Sequence, residues 1–205
     1  MHLSAPMLQT FNALFAEAQA AGEPEPSAMT LATVSEDGRV SARTVLLKHV
    51  DERGFVFYTN VGSVKGRQLA ARPAAALLFH WKHLRQGVQV RIEGAVEPVT
   101  DAEADAYFAS RPRESQIGAW ASRQSAPLAD RAVLEERLAQ VTERFGDGAV
   151  PRPPFWGGYY VWADSVELWV EGASRIHERA RWTRSLTTAG AGFRAGPWAA
   201  TRLQP

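Results

Sequence analysis

Cysteine is absent from the 205-residue chain, which excludes disulfides, thiolate metal sites and cysteine nucleophiles. An excess of either charge is missing too. Lys plus Arg number 23 against 22 Asp plus Glu, so no global field draws in nucleic acid or an acidic membrane, and any anion site must be local. No stretch reaches membrane-spanning length, and MHLSAPMLQTFNALF lacks a basic segment followed by a long apolar run; the expected location is cytoplasmic. There is no nucleotide-binding glycine fingerprint, Walker loop, metal-spaced histidine pair or hydrolase nucleophile elbow. Hydrophobic residues at 45% and charged residues at 22% describe an ordinary globular chain, long enough for one sizeable domain over residues 1–205.

Residues Pro6 to Ala21 carry Leu8, Phe11, Leu14, Phe15 and Ala18 at helical spacing. Short β-type runs follow: Met29 to Val34, Val40 to His49 and Phe55 to Thr59, with turns at Glu36-Asp37-Gly38 and at Asp51 to Gly54. Val64 to Ala71 reads as a short helix, and Ala75 to Trp81 and Gly87 to Val96 as strands. Asp101 to Ala109 has a helical pattern with Thr100 as cap and Glu103 at the capping-box position. A second clear helix spans Leu128 to Phe145. Strands are expected at Tyr159 to Ala163, Val166 to Val170, Arg175 to Trp182 and Ala199 to Leu203. Many short strands joined by hairpins, with helices set between them, point to a closed or partly closed antiparallel barrel, mainly β with α.

Tyr107, Arg111 and Ser115 recur every four residues in DAYFASRPRESQIGAW. On one helix face a phenol, a guanidinium and a hydroxyl form a cradle for an anion. Pro112 disturbs a helix interior, so the stretch also reads as two helices meeting at Arg111, and a solvated helix end with an incidental arginine remains open. Arg43 and Lys48 lie five positions apart in RTVLLK and would point to opposite faces of a regular strand. That places the strand at an edge or gives each cation a bound anion. Arg175, His177 and Arg179 share one face if the run is a strand, as a solvated surface or as a site. Trp169, just ahead of them, can wall a planar ligand, and Gln124 and Ser125 offer polar groups for a ring edge.

Together the segments EPSAMTLATV, RTVLLK, FYTN-x-GS-x-K, QVRIEG, YF-x-SRPRESQIGAW-x-S-x-QS, FWGGY and ELW-x-EG-x-SRIHER resemble the pyridoxamine 5′-phosphate oxidase family of flavin enzymes. They run in family order from about Pro6 to Pro205, RPRESQIGAW and RIHER being the specific parts. The resemblance implies an FMN-binding split barrel that works as a homodimer with active sites shared between subunits. It implies FMN held by Arg43, Thr44, Val45, Leu46, Leu47, Tyr58, Thr59, Lys65, Gln89, Gln124, Ser125, Trp169 and Arg179. Substrate phosphate would be held by Lys48, Tyr107, Arg111 and Ser115, with Arg175 and His177 over the pyridine ring and Glu25 near the site as a proton-transfer group. The implied reaction oxidises pyridoxamine or pyridoxine 5′-phosphate to pyridoxal 5′-phosphate, with dioxygen as acceptor and hydrogen peroxide as product.

Three departures accompany the resemblance. Val64 stands where a second basic residue usually precedes Lys65. The stretch RQGVQVRIEG carries two extra residues before the strand, so the choice of Gln89 rather than Gln86 as the FMN-binding glutamine rests on the alignment there. The N-terminal arm is short. A phenazine-type flavin oxidase and a non-enzymatic binder of FMN or pyridoxal phosphate remain as rival readings.

Overall fold

The computed structural model describes residues 6–190 and 192–205, and the arm ahead of Pro6 lies outside them. In chain order the elements are α1 (Met7–Ala20), β1 (Ala28–Val34), β2 (Val40–Leu46), β3 (His49–Val50), β4 (Gly54–Asn60), α2 (Val64–Ala71), β5 (Ala74–Trp81) and β6 (Val88–Pro98). Then follow α3 (Asp101–Ser110), α4 (Arg113–Ala121), α5 (Arg131–Phe145), β7 (Trp156–Val170), β8 (Glu178–Thr183), β9 (Leu186–Ala189), β10 (Gly192–Ala195) and β11 (Ala199–Leu203). No described helix is long and apolar enough to cross a membrane.

The main sheet is antiparallel and runs β11-β8-β7-β6-β5-β1-β2, with β4 also pairing with β7. Opposite β6, β7 pairs with β4 along its first half and with β8 along its second, so the sheet forks there. Its far end curls back. Leu47 N–H donates to the Ser27 carbonyl at 2.8 Å and Lys48 N–H to the Val56 carbonyl at 2.9 Å, stitching the end of β2 to β4. The result is a split barrel with flanking helices: the short-strand pattern pointed to a closed or partly closed antiparallel barrel, and the resemblance implied the split form.

Alternation fills the barrel: Met29 and Leu31 on β1, Leu77 and Phe79 on β5, and Val88, Val90 and Ile92 on β6 point inward and are buried. Helix α1 closes one mouth, its Phe11 ring edge-on to Phe55 at 4.9 Å and 5.4 Å from Phe79. Burying such a side chain is worth roughly 1.5–3 kcal/mol. Strand β4 is buried on both faces, because Val56 packs with Tyr160 and Trp162 in a second cluster under the β9–β10 hairpin.

Several sequence expectations change. Strand β2 stops at Leu46 instead of reaching His49, so Lys48 lies past its end and strand parity does not fix its direction. Tyr159 to Ala163 and Val166 to Val170 are one strand, and the apparent break is a bulge at which Glu93 pairs with Ser165 and Gly94 with Ala163. The expected strand from Arg175 begins only at Glu178; Ser174 and Arg175 sit in the left-handed region at φ 55° and 64°, within a short 3-10 turn. The expected face shared by Arg175, His177 and Arg179 is therefore lost. Helix α5 starts at Arg131, where the Asp130 carboxylate caps Ala132 N–H at 2.9 Å. The β9–β10 hairpin was not anticipated.

At the bulge a Cβ on Gly94 would lie 2.0 Å from the Trp162 carbonyl oxygen, backbone that cannot swing aside. Gly94→Ala is expected to cost roughly 1–3 kcal/mol of stability with an unchanged denaturant slope. Urea unfolding of the variant measures this, and a variant as stable as its parent would mean that β6 and β7 separate freely at the bulge.

Candidate functional site

One cleft, of about 730 Å³, opens between the free edge of β2, the end of β4 and the joint of α3 and α4. Among the described residues strand β2 pairs only with β1, and its free edge lines the cleft along Arg43, Thr44, Val45 and Leu46. Arg43, Lys48, Lys65 and Arg111 all line this one cleft, which contains no Asp or Glu. Arg43 and Lys48 thus serve the same space, against the expectation of opposite faces.

The first pair of cations sits at the α2 end. Ser63 caps α2 by accepting from Gly66 N–H at 3.3 Å, which sets Lys65 in the first turn. Lys65 is 9% exposed, and its ammonium donates to Gln124 Oε1 at 2.8 Å, Thr59 Oγ1 at 3.2 Å and Ser63 Oγ at 3.4 Å. All three acceptors are neutral. Burial, reinforced by the nearby Arg43 charge, holds its pKa below the ordinary lysine value. The Arg43 guanidinium donates to Thr33 Oγ1 at 2.6 Å, Ser41 Oγ at 2.7 Å and the Leu31 carbonyl at 3.0 Å, again without a carboxylate, and burial depresses its pKa.

The second group sits where α3 ends. The capping box is as read: Thr100 Oγ1 accepts from Glu103 N–H at 3.2 Å and the Glu103 carboxylate accepts from Thr100 N–H at 2.8 Å. Arg111 and Pro112 are extended and α4 restarts at Arg113, so the stretch is the two-helix joint. Tyr58 stacks on Tyr107 at 4.1 Å and on Trp156 at 5.3 Å. The Arg111 guanidinium lies 4.9 Å from the Trp156 ring centre and 5.4 Å from that of Phe108. Its Nη1 is buried with no hydrogen-bond partner, and burial lowers its pKa, opposed by Tyr107. An arginine cannot relieve such a position by losing its proton, so the atom calls for an acceptor from outside the chain. Ser115, one turn into α4, lines the same cleft.

The remaining expected residues lie elsewhere. Gln89, Trp169 and Arg179 form a cross-strand row on β6, β7 and β8, and the His177 ring is 4.5 Å from Trp169. Arg175 is exposed beside them. None lines the cleft. Arg179 is held by Glu167, which accepts from Nη2 at 2.6 Å and Nε at 2.9 Å. Leu47 is buried in the barrel core, Glu25 is exposed and accepts from Ser27 Oγ at 2.6 Å, and Ser125 lines a neighbouring recess with Arg67 and Arg123. Val64 is 40% exposed and does not line the cleft. Sequence reasoning gave no role to Trp156, Ser110, Ser122 or Asn60, all of which line it; the signal was their place in the motifs FWGGY, YF-x-SRPRESQIGAW-x-S-x-QS and FYTN-x-GS-x-K.

Comparison with known proteins bears on this geometry. Residues 15–145 match the family model described as pyridoxamine 5′-phosphate oxidase, and residues 156–205 match the one described as the pyridoxine 5′-phosphate oxidase C-terminal dimerisation region. A pyridoxine/pyridoxamine 5′-phosphate oxidase of Gluconobacter oxydans is 52% identical over 203 residues, covering 99% of this chain and 96% of that protein. One of Caulobacter vibrioides is 55% identical over 197 residues, covering 94% and 84%. Among solved structures, PhzG from Burkholderia lata in complex with tetrahydrophenazine-1-carboxylic acid superposes with a TM-score of 0.86 at 32% identity, over 98% of this chain and 93% of that one.

Lys65 gives the cleft a pH signature. With its folded pKa depressed, the folded state binds fewer protons than the unfolded one between that value and the ordinary 10.5, so its contribution to stability rises with pH across that window. The stability of the ligand-free parent relative to Lys65→Met is expected to grow as pH climbs through the alkaline range toward the ordinary lysine value. Denaturant unfolding of both proteins across the range reads this out, and parallel profiles would mean that Lys65 is not desolvated.

Proposed function

Because the chain belongs to the pyridoxamine 5′-phosphate oxidase family, we propose that it is an FMN-dependent oxidase converting pyridoxamine or pyridoxine 5′-phosphate to pyridoxal 5′-phosphate in the cytoplasm. Dioxygen is the acceptor and hydrogen peroxide the product. The observation that carries the reading is the cleft's four cations without a carboxylate, with the unpartnered Nη1 of Arg111 among them. Such a donor set fits two phosphate-bearing ligands, one beside Lys65 and Arg43 and one beside Arg111 and Tyr107.

FMN, when bound, supplies the two-electron acceptor for the substrate's exocyclic carbon. The chain's own residues bind and orient. Lys65 and Arg43, with Thr59, Gln124 and Ser125, hold the cofactor's phosphate end. The free edge of β2 from Arg43 to Leu46, with Leu47 just past its end and Tyr58, would face its ring. Arg111, Tyr107, Ser115 and Lys48 hold the substrate phosphate, Arg111 presenting a charged fork and the hydroxyls neutral bonds. With no cysteine in the chain, FMN is held without a thioether link.

Gln89, Trp169, Arg175, His177 and Arg179 complete the site from the second subunit of a homodimer. The support is that all but Gln89 fall within the segment matched to the dimerisation region, and that this row is separate from the cleft of its own chain. Arg175 orients the substrate electrostatically, His177 lies over its ring, and Glu25 assists proton transfer.

The resemblance to PhzG supports a second reading, a flavin oxidase acting on a larger aromatic carboxylic acid. The clustering of Lys48, Tyr107, Arg111 and Ser115 favours a phosphate. Steady-state oxidation of pyridoxamine 5′-phosphate and of tetrahydrophenazine-1-carboxylic acid separates the two, and binding of pyridoxal 5′-phosphate without turnover of either would indicate a carrier.

Arg111→Ala removes a charge-assisted contact and is expected to cost roughly 1.5–3 kcal/mol, about ten- to a hundredfold in affinity for the phosphorylated substrate. Unphosphorylated pyridoxine should lose little further in the variant. If parent and variant discriminate equally between the two substrates, Arg111 does not hold the phosphate.

A further inference from the structure

We propose that Arg152, which lies outside the cleft, is a positioning residue for its phosphate end, and this rests on the reading of that end as a phosphate site. Arg152 belongs to the loop between α5 and β7, yet its side chain is only 15% exposed. Three of its nitrogens have separate acceptors on two elements. Nη1 donates to the Trp156 carbonyl at 2.7 Å, Nη2 to Asp101 Oδ1 at 2.7 Å and Nε to Asp105 Oδ1 at 2.5 Å. Asp101 and Asp105 are four apart, on one face of α3.

Both elements it joins supply the cleft. Helix α3 carries Tyr107 and runs into Arg111, while Trp156 is the ring against which Tyr58 and Arg111 pack. Helix α3 buries Ala104 and Phe108 and stacks Tyr107 on Tyr58, a small apolar contact to which polar ties add. Arg53 provides one through Glu103 at 3.2 Å, on the β3–β4 side. Tyr160 adds a second at Glu103, 3.3 Å away, and Gln116 a third by donating to the Phe108 carbonyl at 3.0 Å, but among the described residues Arg152 is the side chain that joins the start of α3 to the backbone of Trp156. A planar guanidinium can hold three acceptors at fixed angles, whereas a lysine ammonium is a point charge on a flexible stem. With the fork gone, Tyr107 and Arg111 shift relative to the indole, and the phosphate cradle opens.

The test uses FMN-loaded Arg152→Met, Arg152→Lys and the double variant Asp101→Asn/Asp105→Asn. The readouts are pyridoxal 5′-phosphate binding, KM and kcat with phosphorylated and unphosphorylated pyridoxine, and FMN affinity. Arg152→Met is expected to weaken pyridoxal 5′-phosphate binding and raise KM for the phosphorylated substrate roughly three- to tenfold, about one hydrogen bond's worth. kcat, FMN affinity and kcat/KM for the unphosphorylated substrate should hold within about twofold. Arg152→Lys should recover only part of the loss. The double variant, whose acids are largely exposed, should move in the same direction to a smaller extent and decides the matter if Arg152→Met does not fold. Variants that lose stability but keep the parent's KM, or that lose both substrates equally, would overturn the proposal alone. A parent that neither binds pyridoxal 5′-phosphate nor oxidises phosphorylated substrate would overturn the underlying reading as well.

Discussion

Uncompensated positive charge inside a partly buried cleft is the constraint on which the rest of this structure turns. Several cations elsewhere meet carboxylates closely: Glu167 takes Arg179 at 2.6 Å and Arg181 at 2.8 Å, and Asp51 takes Arg53 at 2.9 Å. In the cleft, Lys65, Arg43 and Arg111 meet only neutral oxygens, aromatic rings or nothing, and burial pushes the pKa of each one down. Desolvating a charge without a partner costs more than any single neutral hydrogen bond returns. Such an arrangement is tolerated where a ligand of opposite charge completes it.

The fold maintains that arrangement with devices that do not touch the ligand. An edge strand leaves backbone groups open along one wall. Ser63 anchors the helix that buries Lys65. Pro112 breaks the chain between α3 and α4, so Arg111 sits in an extended link with its side chain free to lie against Trp156. The ring stack of Tyr58, Tyr107 and Trp156 gives that end a stiff floor, while the polar ties of α3 keep floor and cradle in register.

Local chemistry was legible in the sequence. Thr100 with Glu103, the Gly38 turn, the helix from Val64 to Ala71 and the joint at Arg111 all follow from residue types at fixed offsets, and the structure contains each. What depended on pairing between distant segments was hidden. The polar Asp164–Ser165 step looks like a strand end because a bulge and a true break share the same composition. Strand β2 ends at Leu46 because the backbone turns to bond β4, a long-range contact that no periodicity reports, and that misplaced Lys48. Left-handed Ser174 and Arg175 carry no glycine to announce the turn. For the candidate site, one chain brings together the residues from β2, β4 and α2 to α4, and sets Gln89, Trp169, Arg175, His177 and Arg179 apart. The separation of the two groups follows from the fork in β7, which sequence cannot show.

The central claim is that the cleft uses its unpaired cations to bring a phosphorylated pyridine against FMN. Anaerobic mixing of the FMN-loaded protein with pyridoxamine 5′-phosphate tests it most directly, with the flavin's visible absorbance as the signal. The account predicts rapid bleaching with the phosphorylated substrate and little with unphosphorylated pyridoxamine at the same concentration. Bleaching with neither compound, or equally fast with both, would contradict it.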